Sequence, residues 1–248
     1  MARSSDELRR DVERIWWAGV RAVQPARLIP EHVSVDGDLL CVGEEAIDLG
    51  RVRRIAIVGA GKASGAMAVA LERALGPRVL AEKQVAGWVN VPADCVLPTE
   101  RVRLHAARPA GVNEPRPEGV AGTQRILELV ASLDERDLCF CLLSGGGSAL
   151  LPAPVPGITL DDKIRLTRVL SAAGANIEQL NAVRRPLSLV KGGGLARACR
   201  AGRLVSLIIS DVLGDRLEAI ASGPTVDVAS SCTAALEVLR ELRLLDAP

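Results

Sequence analysis

Tyrosine is absent from this chain, phenylalanine occurs once, and three tryptophans complete the aromatic set. Proteins that grip single-stranded nucleic acid stack bases on aromatic faces, and here there is almost nothing to stack on. Net charge is missing too: 31 Lys and Arg balance 30 Asp and Glu, for a formal charge of +1. No global field draws nucleic acid or an anionic membrane to the chain, although a local cationic cleft is compatible with that balance. The six cysteines, Cys41, Cys95, Cys139, Cys141, Cys199 and Cys232, include no CxxC pair and no His-rich spacing. That argues against a zinc site or a thioredoxin-type motif. No window reaches 18 uninterrupted apolar residues, and MARSSDELRRDVERIWW lacks the apolar stretch of a secretory leader. A cytoplasmic protein with reduced thiols, not a membrane protein, is expected.

What is present is a globular composition, 48% hydrophobic over 248 residues with mean hydropathy +0.22, enough for a substantial core. The chain is organised around LCFCLLSGGGSALL, Leu138 to Leu151. An apolar run short enough for a buried strand stops at Ser144. Gly145, Gly146 and Gly147 follow, and Ser148 opens a helical turn. A strand, a glycine loop and a helix start place successive N–H groups around one concavity, a natural seat for phosphate or carboxylate.

A capping box at Ser4 and Glu7 starts an amphipathic helix, with Leu8, Val12, Ile15, Trp16 and Val20 on one face, expected to pack against the main body. Asp36-Gly37 between two β-type runs predicts a small peripheral hairpin. RIAIVGAGKASGAMAVALERALG passes from a strand at Ile55 to Val58, through glycines, into a long helix ending at Gly76. Its spacing, Gly59-x-Gly61-x-x-x-Gly65, is one residue longer than the dinucleotide fingerprint, and it is not a Walker loop. The next strand, Val85 to Val91, ends in Asn90-Val91-Pro92 and offers no acid for a ribose. Lys62 stands at the mouth of the Gly61 loop, where an ammonium can meet an anion.

Pro92 to Pro117 reads as a long surface loop and Gly122 to Leu133 as a helix. Thr159 and Asp162 cap a further helix that stops at Gly174. Arg184, Arg185, Lys191, Arg197, Arg200 and Arg203 surround a second triple glycine, Gly192 to Gly194. Lys191 before those glycines suggests a second phosphate-facing loop. The strand Leu204 to Ile209 ends in Ser210-Asp211-Val212-Leu213-Gly214-Asp215, and two carboxylates just past a parallel strand have the chemistry to hold Mg²⁺. Ser222-Gly223-Pro224-Thr225 adds another glycine turn with hydroxyls. Strands alternate with helices from Ile55 onward, which predicts a doubly wound, mainly parallel α/β sheet of Rossmann-like type with helices on both faces.

VGAGKASGAMA (58 to 68), LLSGGGSALLPAP (142 to 154), the NAVR..LS.VKGG pattern (181 to 193) and ISDVLGD with IASGPT (209 to 225) together resemble the type 2 glycerate kinases, also described as hydroxypyruvate reductases. The resemblance covers almost the whole chain. It implies ATP-dependent, Mg²⁺-assisted phosphorylation of glycerate to 2-phosphoglycerate in a cleft between two domains, with residues 1–248 forming the first and the second lying beyond Pro248. By position, Lys62, Lys191 and Asp211 are the catalytic residues this implies. Gly61, Ser144, Gly145, Gly146, Gly147, Ser148 and Arg184 hold phosphate or substrate, and Asp211 and Asp215 hold the metal. Implied partners are a nucleotide and glycerate or a related hydroxy acid, with a homodimer as candidate assembly. The chain departs from the family pattern at Arg108-Pro109, where His-Pro is expected, at Pro186 and at Gly194. Two other readings stand beside it: an NAD(P)H-dependent hydroxypyruvate reductase and a non-catalytic ligand-binding remnant.

Overall fold

The computed structural model describes residues 3–228 and 231–245. Five parallel strands form its centre: β4 (Ile55–Ala60), β5 (Ala86–Pro92), β6 (Val102–Arg108), β7 (Leu138–Ser144) and β8 (Arg203–Ile209), in spatial order β6-β5-β4-β7-β8. The chain builds outward from β4 through β5 to β6, then returns to lay β7 on the other side of β4. That reversal leaves a crevice past the C-terminal ends of β4 and β7, where open α/β sheets bind ligands.

Every residue of β4 and β7 is buried, as expected of strands covered on both faces. Side chains alternate across the sheet. Ile55, Ile57, Phe140 and Leu142 pack with Met67, Leu71 and Leu75 of α3 (Ser64–Glu82). Ala56, Val58, Cys139, Cys141 and Leu143 pack on the opposite face with Ile126 and Val130 of α4 (Pro117–Ala131). Cys139 and Cys141 are thus the small buried hydrophobes expected of them. The glycine stop at Gly76 is real, with φ of 73°, but Pro77 restarts the helix to Glu82.

The peripheral hairpin gains a third strand: β1 (Val33–Asp36), β2 (Leu39–Val42) and β3 (Glu45–Asp48) form an antiparallel sheet whose Val33, Leu40 and Ile47 join the α3 core. Two expectations fail. Residues 92 to 117 are not one long loop, since they contain β6 at the sheet edge, paired to β5 from Gly87↔Val102 onward. Glu72, buried on α3, accepts hydrogen bonds from the amides of Glu100, Arg101 and Val102 at 2.7–2.8 Å and so delivers the chain into that strand. Helix α1 (Ser5–Ala22) has the expected capping box but no buried residue. Leu8, Val12, Ile15 and Trp16 stay exposed, because the chain runs from it into α2 (Pro25–His32) without bringing its apolar face to the sheet.

At the opposite end from the crevice, Asp137 pins the starts of the central strands. Its carboxylate accepts from Arg53 at 2.9 and 3.1 Å, from Arg54 at 2.7 Å and from the Asp134 amide at 2.9 Å. Burial alone pushes this acid up, but the two guanidiniums and the amide outweigh it, so the pKa falls to about 2.

Candidate functional site

The turns after β4 and β7 are locked together before any ligand arrives. The Lys62 amide donates to Gly145 O at 2.9 Å, and the Ala63 amide donates to Ser144 Oγ at 3.0 Å. Ser144 Oγ also lies 3.0 Å from Ser64 Oγ. The approach is so close that a Cβ on Gly61 would sit 2.0 Å from Ser144 Oγ, so only glycine fits. Ser144 itself is buried, with its hydroxyl engaged in this tie.

Beyond Ser144 the chain turns at Gly146, φ 82°, into α5 (Gly147–Leu150). Among the described residues no protein acceptor takes the amide N–H groups of Gly145, Gly146, Gly147 or Ser148, so the loop presents the donor concavity expected of it. The expected second cradle is not there. Gly192 donates its amide to Ser222 O, Gly193 to Gly223 O and Gly194 to Lys191 O, at 2.7–3.1 Å, so the protein's own backbone consumes those donors.

Cations gather on the loop. Lys191, 3% exposed, reaches Ser148 Oγ at 2.5 Å, Ser148 O at 3.2 Å and Ser222 Oγ at 3.2 Å. Arg184, at the end of α7 (Ile177–Arg184), donates to the same Ser148 Oγ at 2.9 Å. Lys163, on α6 (Leu160–Ala172), donates to Leu187 O at 2.7 Å. None of the three makes a salt bridge among the described residues. Burial first, then the neighbouring cations Arg184, Lys163 and Arg185, holds Lys191 well below the ordinary lysine value. Burial and then Arg184 bring Lys163 to about 8. Unpaired cations this crowded await an anion.

These groups line one cavity of about 360 Å³, together with Ser144 to Ser148 and Asp211. A Cβ on Gly145 would meet Asp211 Oδ2 at 2.4 Å, so this carboxylate rests on the glycine loop. A Cβ on Gly146 would lie 3.6 Å from Lys62 Cε and 3.0 Å from the Arg108 guanidinium, which places two more cations beside the loop. Lys62 is exposed. Arg108 is 3% exposed, held by Asn113 at 2.8 Å, and its Nε has no partner among the described residues.

The structure therefore brings Lys62, Ser144 to Ser148, Arg184, Lys191 and Asp211 to one rim. Asp215 lies exposed on the following turn, outside the cavity. Among the described residues no group of three or more His, Cys, Asp or Glu is placed to hold a metal ion. Asp211 alone fits Mg²⁺ of the kind that nucleotide phosphates also ligate, since that ion often takes only one or two protein carboxylates. Sequence reasoning missed Lys163, and marked Arg108 only as a departure from the family pattern. The only available signal for Lys163 was a lysine sharing the helical face of Leu160, Ile164 and Thr167.

Three comparisons with known proteins bear on this geometry. Residues 11–248 match the family model described as "Domain of unknown function (DUF4147)". The chain is 39% identical over 243 residues to a glycerate kinase from Danio rerio, covering 94% of this chain and 47% of that protein. It is 38% identical over 188 residues to a D-glycerate 2-kinase from Thermotoga maritima, covering 76% of this chain and 43% of that protein. A crystal structure of a glycerate kinase from Thermotoga maritima superposes with a TM-score of 0.78 at 33% identity, covering 98% of this chain and 53% of the other. The chain thus spans about half the length of the relatives it matches. Among the described residues no helix is long and apolar enough to cross a membrane. By the extent of that match and the agreement of fold, the chain belongs to the DUF4147 family, the N-terminal domain type of the type 2 glycerate kinases.

Proposed function

We propose that the chain supplies the N-terminal half of an active site that phosphorylates glycerate, or a related hydroxy acid, to the 2-phospho product at the expense of ATP. A second domain completes the cleft. The supporting observation is that Lys163, Arg184 and Lys191, with no bonded carboxylate among the described residues, line one cavity with a glycine loop whose amides no described residue claims. Phosphoryl transfer asks a protein mainly for positioning and charge stabilisation, and that is what this inventory offers.

In this reading the amides of Gly145 to Ser148 and the guanidinium of Arg184 orient an anionic group. Lys62, exposed at the rim, neutralises charge on the side facing the second domain. Burial and the neighbouring cations hold the Lys191 pKa well below the ordinary lysine value, and the negative charge of an arriving anion opposes that shift and favours the charged form. Asp211 holds Mg²⁺, which when bound screens the phosphate charge; Asp215, one turn away, is kept as an outer carboxylate for that ion. The nicotinamide alternative has less support: Asn90, at the place of the ribose-binding acid, is buried and spends its amide on Leu150 O at 2.8 Å. We place the protein in the cytoplasm, acting on small molecules, with a homodimer as candidate assembly and neither nucleic acid nor membrane as partner.

The test is to assay the complete protein for ATP-dependent phosphoglycerate and, in parallel, for hydroxypyruvate-dependent NAD(P)H oxidation. Phosphoglycerate formation supports the proposal. Reductase activity alone, or neither activity, refutes it.

A further inference from the structure

The glycine loop has different neighbours at its two ends. At Ser148 it meets Arg184 and Lys191, with Lys163 on the wall of the same cavity. At Gly146 it meets Lys62 and Arg108, since a Cβ there would lie 3.6 Å from Lys62 Cε and 3.0 Å from Arg108 Nη2. Asp211 rests on Gly145, between the two groups. Three cations with no bonded carboxylate among the described residues match the several charges of nucleotide phosphates. The Gly146 end is less positive, because Asp94 and Cys95 act through space on Arg108 without bonding to it, and it suits a ligand of lower charge.

Arg108 ends β6 and is 3% exposed. Among the described residues its one hydrogen bond runs from Nη1 to Asn113 Oδ1 at 2.8 Å, and its Nε has no partner. A guanidinium carries donors and no acceptor, so the Asn113 carboxamide must turn its oxygen to Arg108 and its nitrogen away. Asn113 is exposed and lines the cavity, and its Nδ2 donates to no described residue. Two N–H donors of fixed orientation are left over at the cavity wall. The next residue is held too: Glu114 Oε1 accepts from Arg168 Nε and Nη2 at 3.0 and 2.8 Å, which ties this stretch to α6.

The choice of side chain carries information. A carboxylate at position 113 would satisfy the buried guanidinium better, through a charge-assisted bond. The neutral amide leaves Arg108 under-satisfied and in exchange offers donors to whatever occupies the cavity.

Taking the kinase reading as the basis, we propose that Asn113 is a substrate-binding residue whose Nδ2 donates to an oxygen of the hydroxy acid. The acid lies at the Gly146 end of the loop, its carboxylate in the field of Lys62 and Arg108, and the nucleotide phosphates take the Ser148 end. Arg108 is a positioning residue: by holding the oxygen of Asn113 it aims the nitrogen at the acid.

The test is Asn113→Asp in the complete protein, which keeps an acceptor for Arg108 but removes the donor and brings a negative charge towards an acid of the same sign. Glycerate is titrated calorimetrically without nucleotide, and steady-state kinetics give KM for each substrate. Glycerate should bind at least about tenfold more weakly, the scale of one hydrogen bond to a charged group. KM for ATP should stay within about twofold of wild type, and the melting temperature should be no lower, because the new carboxylate still accepts from Arg108. Arg108→Met should reproduce the loss for glycerate, and the double substitution should cost no more than either alone, since both act through one amide. Undiminished glycerate binding in Asn113→Asp, an equal loss for ATP, additive effects of the two substitutions, or a wild-type protein that binds no glycerate overturns the proposal. Failure of the kinase reading looks different: glycerate that binds, is weakened by Asn113→Asp and is never phosphorylated refutes phosphoryl transfer and leaves Asn113 as the acid's donor.

Discussion

Replacing Arg184 by methionine should stabilise the ligand-free chain while weakening its hold on anions. Arg184 and Lys191 meet on a single oxygen at 2.9 and 2.5 Å, and among the described residues no carboxylate bonds to either. Two unit charges about 5 Å apart repel by about 3 kcal/mol at an effective dielectric constant of about 20. Burial and the neighbouring cations already disfavour the charged form of Lys191, so only part of that repulsion is recoverable. Methionine keeps most of the apolar volume but forfeits one hydrogen bond, a loss of about 1 kcal/mol. The balance is a gain of about 1 kcal/mol, or roughly 2 to 4 °C in Tm for a chain of this size. A charge-assisted hydrogen bond to an anion is worth about 1.5 to 3 kcal/mol, so phosphate affinity should fall at least about tenfold. Thermal unfolding at constant ionic strength, with and without inorganic pyrophosphate, reads both effects. A variant that melts lower and is stabilised by pyrophosphate as strongly as the wild type refutes the reasoning.

Other consequences are equally specific. Lys62→Ala in a complete enzyme should lose about 100- to 1,000-fold in turnover, the scale of one electrostatic contact, and an unchanged kcat removes Lys62 from the chemistry. Gly61→Ala should cost about 2 kcal/mol or more, since its Cβ would fall 2.0 Å from Ser144 Oγ; the denaturation midpoint should drop with the slope unchanged. Asp137, with its folded pKa at about 2 against an ordinary 3.8, contributes about 2 kcal/mol above pH 3.8 that is lost as pH falls towards 2. Asp137→Asn should flatten that limb of the acid unfolding curve. Lys163, lowered to about 8 from 10.5, binds fewer protons folded than unfolded between those values. Stability should therefore rise with pH across that window, and Lys163→Met should reduce the slope.

The sequence made the centre legible because it combined local signals that agree. An apolar run too short for a helix, three glycines and a resumed helix identify β7 and its loop, and the Thr159–Asp162 capping box marks the start of α6 within a residue. Strand β6 was hidden although Val102-Arg103-Leu104-His105-Ala106 alternates, because that alternation is short and lies in a stretch rich in Pro, Arg and Gly; what holds it at the sheet edge is a buried glutamate 28 to 30 residues earlier in the chain. The second triple glycine looked like the first, yet its amides are claimed by Ser222 and Gly223, a pairing visible only once β8 and the following turn are folded. The burial of Lys163 and Arg108 is likewise a tertiary fact: beyond the place of Lys163 on the helical face of Leu160 and Ile164, nothing local distinguishes a lysine aimed into a cleft from one in solvent. Helix α1 shows the converse, an amphipathic face that the described residues leave uncovered.

Turns far apart in the chain build one anion seat, and crystallography of the protein with pyrophosphate shows whether they do. A phosphate group is expected within hydrogen-bonding distance of the amides of Gly146 to Ser148 and of Arg184. Pyrophosphate bound elsewhere, or that loop left vacant at saturating concentration, would contradict it.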